Sequence, residues 1–262
     1  MIYQGSKAKL RKYIVPILQD CIDRHGATVY VEPFVGGANV IDHIQCQCRE
    51  GVDNNPDLIA LLRYIQDNPK LPIAPEHCDF EHYKDVRENR KNNTGKYSVE
   101  YTALIGYFAS YGGRYFDGGY GRDSRGAREI YAERLAYAKK QAPLLHGIYF
   151  ACLDYRYLES RLKRMENVVV YLDPPYKDTE SYNGEKFNHE EFYDFARNIS
   201  KKNYVFISEF DMPPDFECIW SKERKLLQKS DRKMGEVAVE KLYTIGLSAE
   251  WIKNKEKIQG EN

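Results

Sequence analysis

Five apolar residues in a row, Val168-Val169-Val170-Tyr171-Leu172, read as a strand buried on both faces, as in a parallel sheet. Asp173 follows, then Pro174 and Pro175, which have no backbone N–H for a ladder and hold φ near about −65°. The chain must therefore leave the sheet just after Asp173. Similar short apolar runs predict strands over 28–31, 46–52, 147–152, 204–208, 216–220 and 237–245. Between them the spacing changes to three and four. Leu10, Tyr13, Ile14, Ile17, Leu18, Cys21 and Ile22 share one face of a helix predicted over 7–24, kinked or restarted at Pro16. Asn55 reads as an N-cap and Pro56 as the first helical residue, ahead of Leu58, Ile59, Leu61, Leu62 and Ile65. Further helices are predicted over 101–111, near Arg134 to Lys140, up to Met165 and over 190–200, and the charged tail after Trp251 is expected to fray.

Strands alternating with helices in this way predict an α/β fold with a mainly parallel, Rossmann-like sheet. Residues 76–146 break the alternation: a polar helix or loop with Lys84, Arg87, Arg90 and Lys91, an apolar helix, then Tyr111-Gly112-Gly113-Arg114-Tyr115-Phe116-Asp117-Gly118-Gly119-Tyr120-Gly121-Arg122, too rich in glycine for a regular element. The domain expectation is a catalytic body of 1–75 and 147–262 with a mostly helical insertion at 76–146.

Composition narrows the class. A chain of 262 residues with 42% hydrophobic and 30% charged residues can bury a full core. No apolar stretch is long enough for a membrane span and the start is no signal peptide, so no membrane partner and a cytoplasmic location are expected. The six cysteines show no Cys-x-x-Cys spacing and fall mostly in apolar segments, which predicts buried free thiols and no metal site. With 39 basic and 39 acidic residues the net charge is zero, which by itself argues against a nucleic-acid binder; the local distribution argues the other way. Arg114, Tyr115, Arg122 and Arg125 crowd the insertion, and Lys229, Arg232 and Lys233 crowd the connection between the last two strands. Arginines can read guanine edges or clamp phosphates, and glycines let a backbone come close. A solvated helical insertion is the plainer alternative.

Two further stretches carry chemistry. Glu32-Pro33-Phe34-Val35-Gly36-Gly37-Ala38-Asn39 leaves the first strand through a glycine turn, read as leading into a helix, and such a turn lets a ligand approach the backbone. The second strand ends in Asp53, 17 residues after Gly36, where a carboxylate can accept both hydroxyls of a ribose. The turn is not Gly-x-Gly-x-x-Gly, so a dinucleotide is not indicated. Asp173-Pro174-Pro175-Tyr176 offers two acceptors, the Asp173 carboxylate and the Pro174 carbonyl, for the two N–H bonds of an exocyclic amine. Tyr176 can stack on a base, which reaches such a pocket only after leaving the duplex.

Taken together, Tyr3-Gln4-Gly5-Ser6-Lys7, Val31-Glu32-Pro33-Phe34-Val35-Gly36-Gly37, Val52-Asp53-Asn54-Asn55-Pro56-Asp57-Leu58-Ile59 and Asp173-Pro174-Pro175-Tyr176 resemble, in kind and order, the adenine-specific DNA methyltransferases of the Dam-like D12 class. The resemblance implies S-adenosyl-L-methionine as cofactor, held by Tyr3, Lys7, Phe34, Gly36, Gly37, Asp53, Asp154, Tyr155 and Asp173, with Lys7 suited to its carboxylate. It implies Asp173, Pro174 and Tyr176 at the target adenine, double-stranded DNA as partner and 76–146 as the target-recognition region. A partner restriction endonuclease and a monomeric state are further expectations. Cytosine-N4 methylation, glutamine methylation and a non-catalytic DNA-binding role remain as alternatives. The loop around Arg114 matches the family only in being aromatic and arginine-bearing, so no target sequence carries over.

Overall fold

The strand before Asp173 is β4 of the seven among the described residues: β1 Val29–Glu32, β2 Cys48–Asp53, β3 Ile148–Cys152, β4 Val168–Leu172, β5 Tyr204–Glu209, β6 Glu217–Lys225 and β7 Val237–Ile245. All five residues of β4 are buried, as a strand covered on both faces requires. The structure is a computed structural model and describes residues 1, 3, 5–122, 129–175, 187–225 and 237–260. Its sheet has the order β3-β2-β1-β4-β5-β7-β6. The pairs β1·β4, β2·β3 and β4·β5 are parallel, whereas β7 runs antiparallel to both β5 and β6. The Rossmann-like α/β expectation is met, with an antiparallel hairpin closing one end of the order.

Eight helices accompany these strands among the described residues: α1 Arg11–His25, α2 Pro56–Asp67, α3 Phe80–Asn92, α4 Val99–Phe108, α5 Ile130–Gln141, α6 Glu159–Leu162, α7 His189–Ile199 and α8 Leu247–Gly260. Each local signal has a local cause. Asn55 accepts the N–H of Leu58 at 3.1 Å and Pro56 opens α2, whose Leu58, Ile59, Leu61, Leu62 and Ile65 are buried. Asp79, Ser98 and Asn188 cap α3, α4 and α7 in the same way. The amphipathic α7 buries Phe192, Tyr193, Phe195, Ala196 and Ile199 and leaves Glu190, Glu191 and Asp194 to solvent.

Contacts divide the chain into two compact units. The first comprises Met1–Val15, Val35–Gln45 and Arg49–Leu153; the second comprises Pro16–Phe34, Cys46–Cys48 and Asp154–Asn262. The whole stretch 76–146 belongs to the first unit, with the glycine turn and Asp53.

Several expectations are corrected. The first helix begins at Arg11, not at residue 7, because Lys7–Lys9 is a 3-10 turn capped by the Ser6 hydroxyl, and α1 runs on through Pro16. No helix of any length follows the glycine turn. Ala38 takes φ +54° and the carbonyls of Gly37 and Ala38 are bonded to Gln141, so only the single 3-10 turn Ile41–His43 forms. Only Cys21 and Cys78 are buried. Cys48, Cys152 and Cys218 are exposed, the last two on β3 and β6 at the two edges of the strand order, where alternate positions meet solvent. β6 runs on to Lys225, past the predicted 216–220, and residues 252–260, expected to fray, belong to α8. Among the described residues no helix is long and apolar enough to cross a membrane.

Candidate functional site

In the first unit the glycine turn is built against the end of β2. Val35 donates to the Val52 carbonyl at 2.9 Å, and Gly36 donates to Asp53 Oδ2 at 3.1 Å, while Asn55 donates to Asp53 Oδ1 at 3.0 Å. Burial raises the Asp53 carboxyl to about 6, against the lowering effect of the backbone N–H groups of Asn55, Gly36 and Asn54. An ionised carboxylate has roughly four acceptor positions, so with these N–H groups in place it keeps accepting capacity for a ligand's hydroxyl. Gly36 has φ +49°, and a Cβ there would lie 3.2 Å from the Tyr3 ring. At Gly37 a Cβ would lie 2.7 Å from both Asn39 Nδ2 and the Met1 carbonyl. The turn is thus a cradle that any side chain would fill. Gln141, buried on α5, fastens it from below: its Nε2 donates to Gly37 O at 3.1 Å, Ala38 O at 3.0 Å and Asp42 Oδ2 at 2.8 Å. Lys7 is buried in its 3-10 turn.

In the second unit β1 and β4 are neighbours with Val31 opposite Val170, and the strand order reverses between them. Ligands of open α/β sheets bind outside the carboxyl ends of strands at such a switch point. Asp173 leaves β4 at this point, half-buried, and Pro174 is buried behind it. Below them Tyr171 shares a hydrogen bond with Ser208 at 2.7 Å, and Tyr30 donates to Glu32 Oε1 at 2.6 Å. The Tyr171 phenol is pushed well up, first by burial and then by the charge of Asp173. Phe34 packs its ring 5.1 Å from Tyr155, 5.9 Å from Phe187 and 5.9 Å from Phe192, and Phe195 stands edge-on to Tyr155 at 5.0 Å. This aromatic group is suited to a flat ring system. Asp154 caps the 3-10 turn Tyr155–Leu158 and pairs with Arg156 at 2.8 Å, so part of its accepting capacity serves its own chain.

In the insertion, Arg114 and Arg122 are exposed as expected. Arg122 lies 4.8 Å over the Phe80 ring and 5.6 Å over that of Tyr120. Tyr115 corrects its assignment as a DNA contact. It is 6% exposed and its hydroxyl donates to Asp57 Oδ2 at 2.6 Å, so neither ring nor hydroxyl is presented to a duplex. Tyr176, Arg125, Lys229, Arg232 and Lys233 lie outside the described residues. Sequence reasoning missed Phe187, Phe192 and Phe195, of which the last two carry a helical spacing that could have been read, and Gln141, for which a polar residue on a helix gives no signal.

The residues of the first unit fit the methionine and ribose parts of S-adenosylmethionine: a cradle open only because it lacks Cβ atoms, and a carboxylate with lone pairs to spare. Comparison with known proteins then gives three findings. The model of a family described as D12 class N6 adenine-specific DNA methyltransferase matches residues 3–214. No curated protein matches the chain. Among solved structures, the crystal structure of TrmN from Thermus thermophilus is similar over 87% of this chain and 48% of its own, at 11% identity and a TM-score of 0.32. The chain thus spans about half the length of that protein.

Proposed function

The chain belongs to the D12 class N6 adenine-specific DNA methyltransferase family, and on that premise we propose that it transfers a methyl group from S-adenosylmethionine to the exocyclic N6 amine of adenine in double-stranded DNA. The observation that carries the reading is Asp173, held on a two-proline turn at the carboxyl end of the fully buried β4, where the strand order reverses.

The parts fall to residues as follows. Gly36 and Gly37 form the turn under the methionine portion, Lys7 answers its carboxylate, Asp53 accepts the ribose hydroxyls, and Phe34 with Tyr155 takes the adenine of the cofactor. When bound, the sulfonium supplies a methyl group that is already electrophilic. The target amine is a poor nucleophile because its lone pair is delocalised into the base. Asp173 and the Pro174 carbonyl accept its two N–H bonds, which favours the pyramidal form and aims the lone pair for in-line displacement. After transfer the nitrogen is cationic and strongly acidic, so its proton leaves without a dedicated base. The adenine must leave the stack to be held in this way.

Residues 76–146 serve as the target-recognition region, with Arg114 and Arg122 among its exposed cations. The protein acts as a monomer, and DNA that it has methylated resists a partner endonuclease cutting the same sequence. Incubation of the full chain with duplex DNA and tritiated S-adenosylmethionine tests the reaction: hydrolysis should release labelled N6-methyladenine. Label in N4-methylcytosine would replace the base assignment, and an absence of label would remove the catalytic reading. Methylation-sensitive long-read sequencing of DNA from cells expressing the chain identifies the target sequence, and light scattering checks the single copy.

A further inference from the structure

The loop that carries Arg114 is held in a conformation it would not take alone. Tyr115 has φ +27° and Phe116 φ +60°, two successive non-glycine residues in the left-handed region. Such backbone is costly and persists only where its surroundings dictate it. The Phe116 N–H donates to Ser110 Oγ at 2.8 Å, and Gly106 makes room, since a Cβ there would lie 2.6 Å from the Tyr115 ring. Within the loop Tyr111 donates to the Gly119 carbonyl and Asp117 to the Arg114 carbonyl, both at 2.8 Å, and a further restraint comes from α2 and α3. The Tyr115 hydroxyl donates to Asp57 Oδ2 at 2.6 Å and accepts from Arg90 Nε at 3.0 Å; Arg90 also reaches Asp57 at 3.4 Å and lies 4.7 Å over the Tyr115 ring.

Asp57 stands in the first turn of α2, four residues after Asp53 and two after Asn55. Asn55 donates its side-chain amide to the Tyr107 hydroxyl at 3.0 Å, and the Tyr107 ring lies 4.6 Å from that of Tyr115 and 5.8 Å from that of Tyr3. One capped segment therefore offers Asp53 to the glycine turn, Asn55 to Tyr107 of α4 and Asp57 to the recognition loop. A displacement at one end is carried to the other, because a packed turn moves as a piece.

We infer that Asp57, Tyr115 and Arg90 form a latch through which cofactor occupancy at Asp53 and the posture of loop 111–122 bias each other, with Tyr115 as a positioning residue. The inference rests on the cofactor assignment of the proposed function. A ligand that holds Asp53 in its bonded position favours the latched loop, and by reciprocity the latched loop favours the ligand. Tyr115→Phe keeps the ring contacts and removes the hydroxyl. Asp57→Asn keeps an acceptor for that hydroxyl and removes the charge facing Arg90.

Amide hydrogen exchange of the full chain, with and without saturating sinefungin as an unreactive cofactor analogue, tests the latch. In the wild type sinefungin should slow exchange across 111–122 by about fivefold or more, the lower end of ordinary coupling. Tyr115→Phe should bind sinefungin more weakly and lose that slowing, and Asp57→Asn should retain part of it. A merely structural role would loosen the loop by the same factor with and without the analogue. Full wild-type slowing in either variant, or none in a wild type that binds sinefungin, overturns the latch. A wild type that binds neither sinefungin nor S-adenosylmethionine overturns the cofactor assignment instead.

Discussion

Gly36 donates its backbone N–H to Asp53 Oδ2 at 3.1 Å, so the carboxylate that ends β2 also holds the glycine turn. One residue therefore has two duties: it fixes the cradle through one oxygen and leaves lone pairs for a ligand's hydroxyls. A change at Asp53 is expected to alter both the shape and the chemistry of cofactor binding.

The first prediction is a pH dependence. Burial lifts the Asp53 carboxyl from its ordinary 3.8 to about 6, so the folded chain holds this proton more tightly than the unfolded one. Between about pH 4 and 6 the folded state binds the extra proton, and the contribution of Asp53 to stability declines as pH rises through that window. Ribose binding uses the ionised form, so cofactor affinity should run the other way, falling about tenfold per unit below the shifted value. Calorimetric titration across that range checks this. Asp53→Asn should weaken binding and flatten the profile; a profile that keeps its slope in the variant would deny Asp53 the titration.

Asp173→Ala should lower the turnover number by about 10²-fold or more, the usual effect of removing one preorganised polar partner from a reacting group. S-adenosylmethionine should still bind in part, since the hydrogen bonds that hold the glycine turn and Asn55 to Asp53 do not involve Asp173. Single-turnover methyl transfer alongside equilibrium binding separates the two effects, and unchanged turnover would take the amine contact away from Asp173.

At Gly37 an added Cβ would lie 2.7 Å from a backbone carbonyl and from the Asn39 amide, which is itself bonded to that carbonyl. Neither neighbour can swing aside freely. Gly37→Ala should cost about 1–3 kcal/mol of stability through overpacking and should weaken cofactor binding, read by thermal melting with and without S-adenosylmethionine. Gly95→Ala has open space and φ +71°, so it serves as a control that strains the backbone without crowding the turn.

Arg114→Ala tests target choice. If the exposed guanidinium reads a guanine edge, its loss should relax discrimination at one position of the target by about 1–3 kcal/mol. If it clamps a phosphate, binding to all sequences should weaken alike and the salt dependence should become shallower. Competition binding at two salt concentrations distinguishes these outcomes, and an unaltered preference and affinity would return the loop to a solvated face.

Much of the scaffold was legible from local chemistry. Prolines that lack an N–H had to end β4, an asparagine with a proline behind it had to open α2, and alternating periodicities located nearly every strand and helix. One exception has a distant cause. Ala38 and Gly37 failed to begin a helix because Gln141, more than 100 residues along the chain, takes their carbonyls.

The sequence by itself determined which residues could do the chemistry: the order of the glycine turn, Asp53 and Asp-Pro-Pro-Tyr needs only neighbouring side chains and backbone geometry to be read. Tertiary structure alone decided which of them face outward. Tyr115 looks like a DNA contact in its loop and is instead buried against Asp57, 58 positions earlier. Lys7 is covered, and Phe34 joins an aromatic group drawn from Tyr155 and α7. Propensity and periodicity act over a few residues, whereas burial and hydrogen-bond partners are settled by segments that meet only after the chain has folded.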